Sequence, residues 1–107
     1  MKSVKTEFSP DYFKAIFGED PAEWSTFIEV NLRTFHKGME RLRAAAHEGD
    51  MDVVSEVRHA MGPSMKQWGT VSLESRMMAL SSDNLPSEWP TIESELQDLI
   101  NALEALE

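Results

Sequence analysis

The sequence predicts an all-α fold: an antiparallel up-and-down four-helix bundle with a short N-terminal lid helix. Three observations carry that expectation. Apolar residues recur at intervals of three and four in each long segment. Gly-Asp, Gly-Thr and proline-led junctions separate those segments at short intervals. No stretch alternates apolar with polar residues as a half-buried strand would. Helices joined by tight turns pack against their sequence neighbours in opposite directions, which gives the bundle topology. With 107 residues and 12.1 kDa, residues 1–107 read as a single domain, large enough to bury about two thirds of its unfolded surface.

Ser9-Pro10-Asp11 starts the first helix: a hydroxyl that can cap free N–H groups, a proline in the first turn, and an acid at the positive end of the dipole. Phe13, Ile16 and Phe17 are its apolar contacts, and Gly18 is a left-handed stop. This helix is the lid. Asp20-Pro21-Ala22-Glu23 is a second start, in which the Asp20 side chain caps forward and Glu23 reaches back to the Asp20 N–H. The helix so begun carries Trp24, Phe27, Ile28, Leu32, Phe35, Met39, Leu42, Ala45 and Ala46 at helical spacing, about seven turns, and is the longest element. Asn31 lies inside that stripe, where an amide bonded to a buried neighbour is the commoner reading and a functional polar site the rarer one. His36, Glu40, Arg43 and His47 share an outer face. An arginine among them and their outward projection oppose a metal site, because bundle metal sites draw inward-pointing carboxylates and histidines from facing helices.

Gly49-Asp50 ends the long helix and caps the next, a tight connection between antiparallel neighbours. In the stretch from Asp52 to Gly69, taken at about 100° per residue, Val53, Val54, Val57, Ala60, Met61, Ser64, Met65 and Trp68 fall on one broad, mostly apolar face. Pro63 removes the bond its N–H would give the carbonyl of His59, so this helix should kink or end there. A kink is expected, since the apolar stripe keeps its phase across Gly62-Pro63. Gly69-Thr70 is the next stop and start, opening a helix with Val71, Leu73, Met77, Met78 and Leu80. The turn-rich SSDNLPSEWP reads as a loop. The last helix then runs from about Glu88 or Thr91 to the end, with Ile92, Leu96, Leu99, Ile100, Leu103 and Leu106 as its stripe.

Composition narrows the function classes. There is no cysteine, which removes disulfides, thiolate nucleophiles and cysteine-ligated zinc, and fits a reducing compartment. A net charge of −9 and a pI near 4.7 oppose a nucleic-acid partner, which needs clustered Lys and Arg against phosphates. No apolar run approaches the roughly 20 residues of a membrane span, and no early apolar run follows the charged start. The expectation is a soluble, cytoplasmic, monomeric domain without membrane insertion.

His59 is the candidate reactive residue. On the helix from Asp52 it projects opposite the apolar face, with Ser55, Gly62, Pro63 and Lys66 as its neighbours on the outer side. A hydrogen-bonded core histidine is thereby excluded, and an ordinary surface histidine is not. What sets His59 apart is its setting: a residue without a side chain one turn on, then a proline, then a lysine two turns on. The ring is left uncovered.

These residues resemble the histidine-containing phosphotransfer (HPt) domains of bacterial two-component phosphorelays. The resemblance runs from about Phe8 to the C-terminus: short lid helix, long helix, EGD connector, histidine-bearing helix, glycine stop and two closing helices. The family motif is a His, any residue, an apolar residue, a Lys, a small residue, and a glycine ten positions after the His. His59, Met61, Ser64 and Gly69 fit that frame, and Pro63 stands where the family usually has Gly or Ser. Gly62 departs from it, occupying the position of the lysine that helps hold the phosphoryl oxygens. Lys66, further along the same face, either supplies a partial replacement or is a solvated surface lysine, and the sequence leaves both open.

The resemblance implies that His59 accepts and donates a phosphoryl group, exchanging it with an aspartate of a response-regulator receiver domain. Gly62, Pro63 and Lys66 would form the phosphate environment, and Ser55, Arg58, Gly62 and Lys66 the partner-binding surface. The chain would need no cofactor of its own, the Mg²⁺ lying on the receiver, and a hybrid sensor histidine kinase is a further partner. Nothing in the sequence looks like a glycine-rich nucleotide site or a kinase core, so the chain is expected to carry phosphate without autonomous kinase activity. A phosphorylation-incompetent bundle that only docks a receiver or another signalling protein, and an unrelated structural or oligomerising bundle, remain the alternatives.

Overall fold

The computed structural model describes residues 7–107, so the first six residues of the expected 1–107 domain lie outside the described residues. The elements are α1 (Asp11–Phe17), a 3₁₀ turn (Pro21–Trp24), α2 (Ser25–Glu48), α3 (Met51–Gln67), α4 (Val71–Met78) and α5 (Leu85–Ala105). No strand occurs among the described residues. α2 packs against α3 and α5, α3 against α4, and α4 against α5. One apolar cluster fills the space between them, from Phe13 and Trp24 through Phe35, Met61 and Met65 to Ile92, Leu99 and Leu103.

Side-chain pairs fix the register of these contacts. Arg41 meets Glu56 at 2.6 Å, the Asn31 amide oxygen accepts from the indole N–H of Trp68 at 2.7 Å, and Gly38 lies between them against Met61. Along the α2–α3 seam, numbers therefore fall in one helix as they rise in the other. The α2–α5 seam behaves the same way, with Arg43 on Glu93 at 2.7 Å and His36 at 3.8 Å from Glu104. α4 is tied to α5 by a two-pronged Arg76–Glu95 pair at 2.9 and 2.8 Å. The hydrogen bond from Arg76 and the negative charge of Glu95, a buried residue, hold the arginine's pKa above its ordinary value.

The junctions behave largely as the sequence predicts. Asp20 Oδ1 accepts from the Ala22 N–H at 3.0 Å, although the chain makes one 3₁₀ turn before α2 proper and no return bond from the Glu23 side chain forms. Gly49 is left-handed at φ 74°, ψ 28°, and Asp50 Oδ1 caps the Val53 N–H at 3.2 Å. Gly18 takes a positive φ of 101° with an extended ψ of 176°, so it ends α1 without the left-handed helical turn expected of it.

Four expectations need correction. α5 begins at Leu85, several residues before Glu88, so LPSEWP is helical and only the preceding residues form the loop. Pro86 sits in the first turn, where its missing N–H costs nothing, and Leu85, Trp89 and Ile92 extend the buried stripe back through both prolines. Ile16 is exposed, because a two-turn helix can turn only one narrow line inward and Phe13 and Phe17 occupy it. Phe27 is also largely exposed, its ring stacked on Phe17 at 4.8 Å rather than placed in the core. Gly62, expected on the wet side of α3, is buried against α4.

Candidate functional site

The site is built on α3, whose rotation about its own axis is set by what it buries. Val54, Val57, Met61, Met65 and Trp68 are essentially inaccessible. Trp68 is held most firmly: its indole N–H donates to Asn31, the Phe13 ring stacks on it at 4.1 Å, the Phe8 ring at 5.6 Å, and its carbonyl accepts from the Ser9 N–H at 2.9 Å. Asn31 is thus the buried, bonded amide that the sequence favoured. The C-terminal end is closed by a Schellman turn: Gly69 at φ 75°, the Thr70 N–H on the Met65 carbonyl at 3.0 Å, and the Gly69 N–H on the Lys66 carbonyl at 3.1 Å. The Thr70 hydroxyl donates to the same Met65 carbonyl at 2.9 Å.

With one side so anchored, the opposite side must face water. His59 is exposed there, and its ring makes no hydrogen bond or ion pair with the described residues. Ser55, one turn before it, and Pro63, one turn after it, are exposed as well. The helix runs through Pro63 without ending, which leaves the His59 carbonyl without the N–H it would otherwise receive.

On the α4 flank the surroundings are polar. Gly62 is buried, but a Cβ added there would meet only Glu74 Oε2, at an ordinary van der Waals distance of 3.6 Å. The same Glu74 oxygen lies 3.5 Å from Lys66 Nζ. Glu74 is the shielded partner of this pair, with 17% of its side chain exposed against 69% for Lys66. The lysine expected near the phosphate is therefore already matched by a carboxylate. Sequence spacing on α3 could not reveal that carboxylate, because it arrives from another helix.

Arg58 does not stand free to meet a partner. Its Nη1 donates to the carbonyls of Met77, Met78 and Leu80 at 3.3, 3.2 and 3.1 Å, satisfying the C-terminal end of α4 and placing a cation at the negative pole of that helix. It is a strut between α3 and α4. Of the expected partner-facing residues, Ser55 and Lys66 remain exposed, while Arg58 is half-buried and Gly62 buried.

On the α2 flank the surroundings are apolar and basic. A groove of about 230 Å³ is lined by Thr34, Lys37, Gly38, Arg41, Val57, Ala60 and Met61. Ala60, expected on the core face, is exposed at its rim beside His59. His36 and Arg43 lie on the α2–α5 side, paired with Glu104 and Glu93. No group of three or more metal-ligating side chains occurs among the described residues. Chemically, the arrangement offers one accessible imidazole with a lone pair to give, a nearby lysine shared with a carboxylate, and, among the described residues, no base or acid bonded to the ring. No protein-family model, curated protein or solved structure compared with the chain matches it.

Proposed function

We propose that this chain is an antiparallel up-and-down four-helix bundle that carries a phosphoryl group on His59, exchanging it with an aspartate of a response-regulator receiver domain as the HPt domains it resembles do. The bundle reading is supported by the opposed numbering along the α2–α3 and α2–α5 seams and by the two-residue α2–α3 connection. The observation that carries the function is the His59 ring, exposed and without a bonded partner among the described residues, on a helix whose other side buries Val54, Val57, Met61, Met65 and Trp68. No helix among the described residues is long and apolar enough to cross a membrane.

In the reaction, a neutral imidazole nitrogen gives its lone pair to the phosphorus of an aspartyl phosphate. The P–N bond forms, the P–O bond to the aspartate breaks, and the carboxylate leaves with its electron pair. Such a transfer depends mainly on in-line positioning and on charge stabilisation at the equatorial oxygens. The Mg²⁺ and acidic cluster that supply most of that stabilisation belong to the receiver. This chain supplies the nucleophile on a rigid mount, where neither Gly62 nor Pro63 adds a long side chain of its own beside the ring.

Mixing the chain with a phosphorylated receiver should put acid-labile phosphate on wild type and none on His59→Gln, read by intact mass. Equal labelling of His59→Gln would move the acceptor elsewhere and overturn the assignment. One observation favours a second reading, in which the bundle only docks its receiver: the position of the family lysine is Gly62, and a carboxylate lies beside it. Receiver binding without any transfer of label would establish that reading instead.

A further inference from the structure

Among the described residues, Glu74 is the charged group that meets the Gly62 shelf and that the carrier reading leaves unused. The geometry is specific. Its Oε2 is 3.6 Å from where a Gly62 Cβ would stand and 3.5 Å from Lys66 Nζ, and the side chain is mostly shielded from water. Gly62 follows His59 by three residues and Lys66 follows by seven, so all three lie on one side of α3. A phosphoryl group on His59 would bring about two negative charges to that same side. It would meet a carboxylate where a lysine ammonium would help it, and Lys66, the exposed cation on that side of α3, would be engaged with that carboxylate.

We propose that Glu74 sets the lifetime of phosphohistidine on this protein, acting as a built-in electrostatic brake. By holding Lys66 and placing its own charge over Gly62, it makes His59 a short-lived, strongly donating carrier rather than a store of phosphate. The inference rests on His59 being the phosphoryl acceptor, and it adds the residue that regulates it. Glu74 does not touch the reacting atoms, so it is a positioning residue whose influence passes through charge and through Lys66. In hydrolytic loss, the P–N bond breaks, water oxygen bonds to phosphorus, and a proton returns to the imidazole nitrogen. Repulsion from Glu74 raises the starting state of that step and of transfer to a receiver aspartate. A purely structural Glu74, serving only the positive end of α4 as an acid in its first turn, would leave both unchanged.

The test loads the full chain with potassium phosphoramidate, a small chemical donor that needs no partner, and follows the P–N signal by ³¹P NMR and intact mass. Glu74→Gln keeps the shape of the side chain and removes its charge. It should lengthen the phosphohistidine half-life about threefold to tenfold, the range expected for losing one like charge near a partly screened site. Added salt should slow the decay of wild type and have little effect on Glu74→Gln, a readout that packing alone would not move. Lys66→Met in the Glu74→Gln background should remove part of the gain, because a released Lys66 turns to the phosphoryl group. Equal half-lives in wild type and Glu74→Gln, with no salt effect in wild type, would overturn the brake while leaving His59 as carrier. Absence of any P–N signal in both proteins would overturn the carrier reading itself.

Discussion

Gly38 in α2 and Gly62 in α3 are alike in setting: each is buried and inside a helix, and each weakens its helix by about 0.5–1 kcal/mol relative to alanine. A side chain would have different consequences at the two. At Gly38 an added Cβ would overlap the Met61 sulfur and crowd Val57 Cγ1 at 3.2 Å, so a side chain there would force the buried Met61 to move. At Gly62 the added atom would meet nothing nearer than 3.6 Å among the described residues, so packing tolerates a methyl group there. The first glycine is explained by the fold. The second, followed by a helix-weakening proline and standing one turn from an exposed histidine, is not, and local choices that work against the fold without serving its packing are the ones to expect at a functional site.

Substituting Gly38 should give the largest effect. Gly38→Val places branched bulk where one carbon is already too much, and Met61, wholly buried, would have to leave its position or the helices part. Overpacking of this kind costs about 3 kcal/mol, little of it offset by valine's better helix propensity. In a domain of this size, the thermal midpoint should fall by about 12–24 °C. A midpoint within a few degrees of wild type would mean that the seam is loose and that the contrast with Gly62 has no basis.

How much of this was legible in the sequence depends on whether the signal was local. The face that α3 buries follows from the period of Val54, Val57, Met61, Met65 and Trp68, and with it the exposure of His59. The Gly49-Asp50 and Gly69-Thr70 junctions were equally readable, because caps and left-handed glycines act within a few residues. What escaped involves partners distant in the chain. Gly38 reads as a mere weak point until Met61 is seen opposite it, and Glu74 is invisible to spacing on α3. Arg58 looked available because the carbonyls it satisfies lie about 20 residues on. The start of α5 is hidden for a different reason: SSDNLPSEWP is turn-rich throughout, although Pro86 occupies a position that needs no N–H and the buried Leu85 and Trp89 continue the stripe.

A second, smaller effect should come from Pro63, with the opposite sign. Replacing Pro63 by alanine restores an N–H for the His59 carbonyl, a gain of up to about 3 kcal/mol in an ordinary interior. Part is lost because alanine frees the unfolded chain, by about 0.4–1 kcal/mol. Pro63 is also exposed and lies in the last turns of α3, where water can serve the carbonyl. A net stabilisation of about 1–2 kcal/mol is expected in denaturant titration. Destabilisation would show that the proline is required by the fold after all, which would remove one half of the argument that this stretch is shaped for something else.

The smallest effect, and the sharpest test of the comparison, is expected for Gly62→Ala. A methyl group there would sit at van der Waals distance from Glu74 Oε2 and leave both that carboxylate and Lys66 in place. Helix propensity alone should then raise stability by about 0.5–1 kcal/mol, or roughly 2–8 °C in the thermal midpoint. Phosphorylation of His59 by a small donor should be unchanged, since no charge has moved. A loss of stability greater than 1 kcal/mol would make Gly62 a packing glycine like Gly38. If the variant is more stable and accepts phosphoramidate normally but binds a receiver less well, the missing side chain at 62 serves clearance for the partner, a requirement that no contact within this chain imposes.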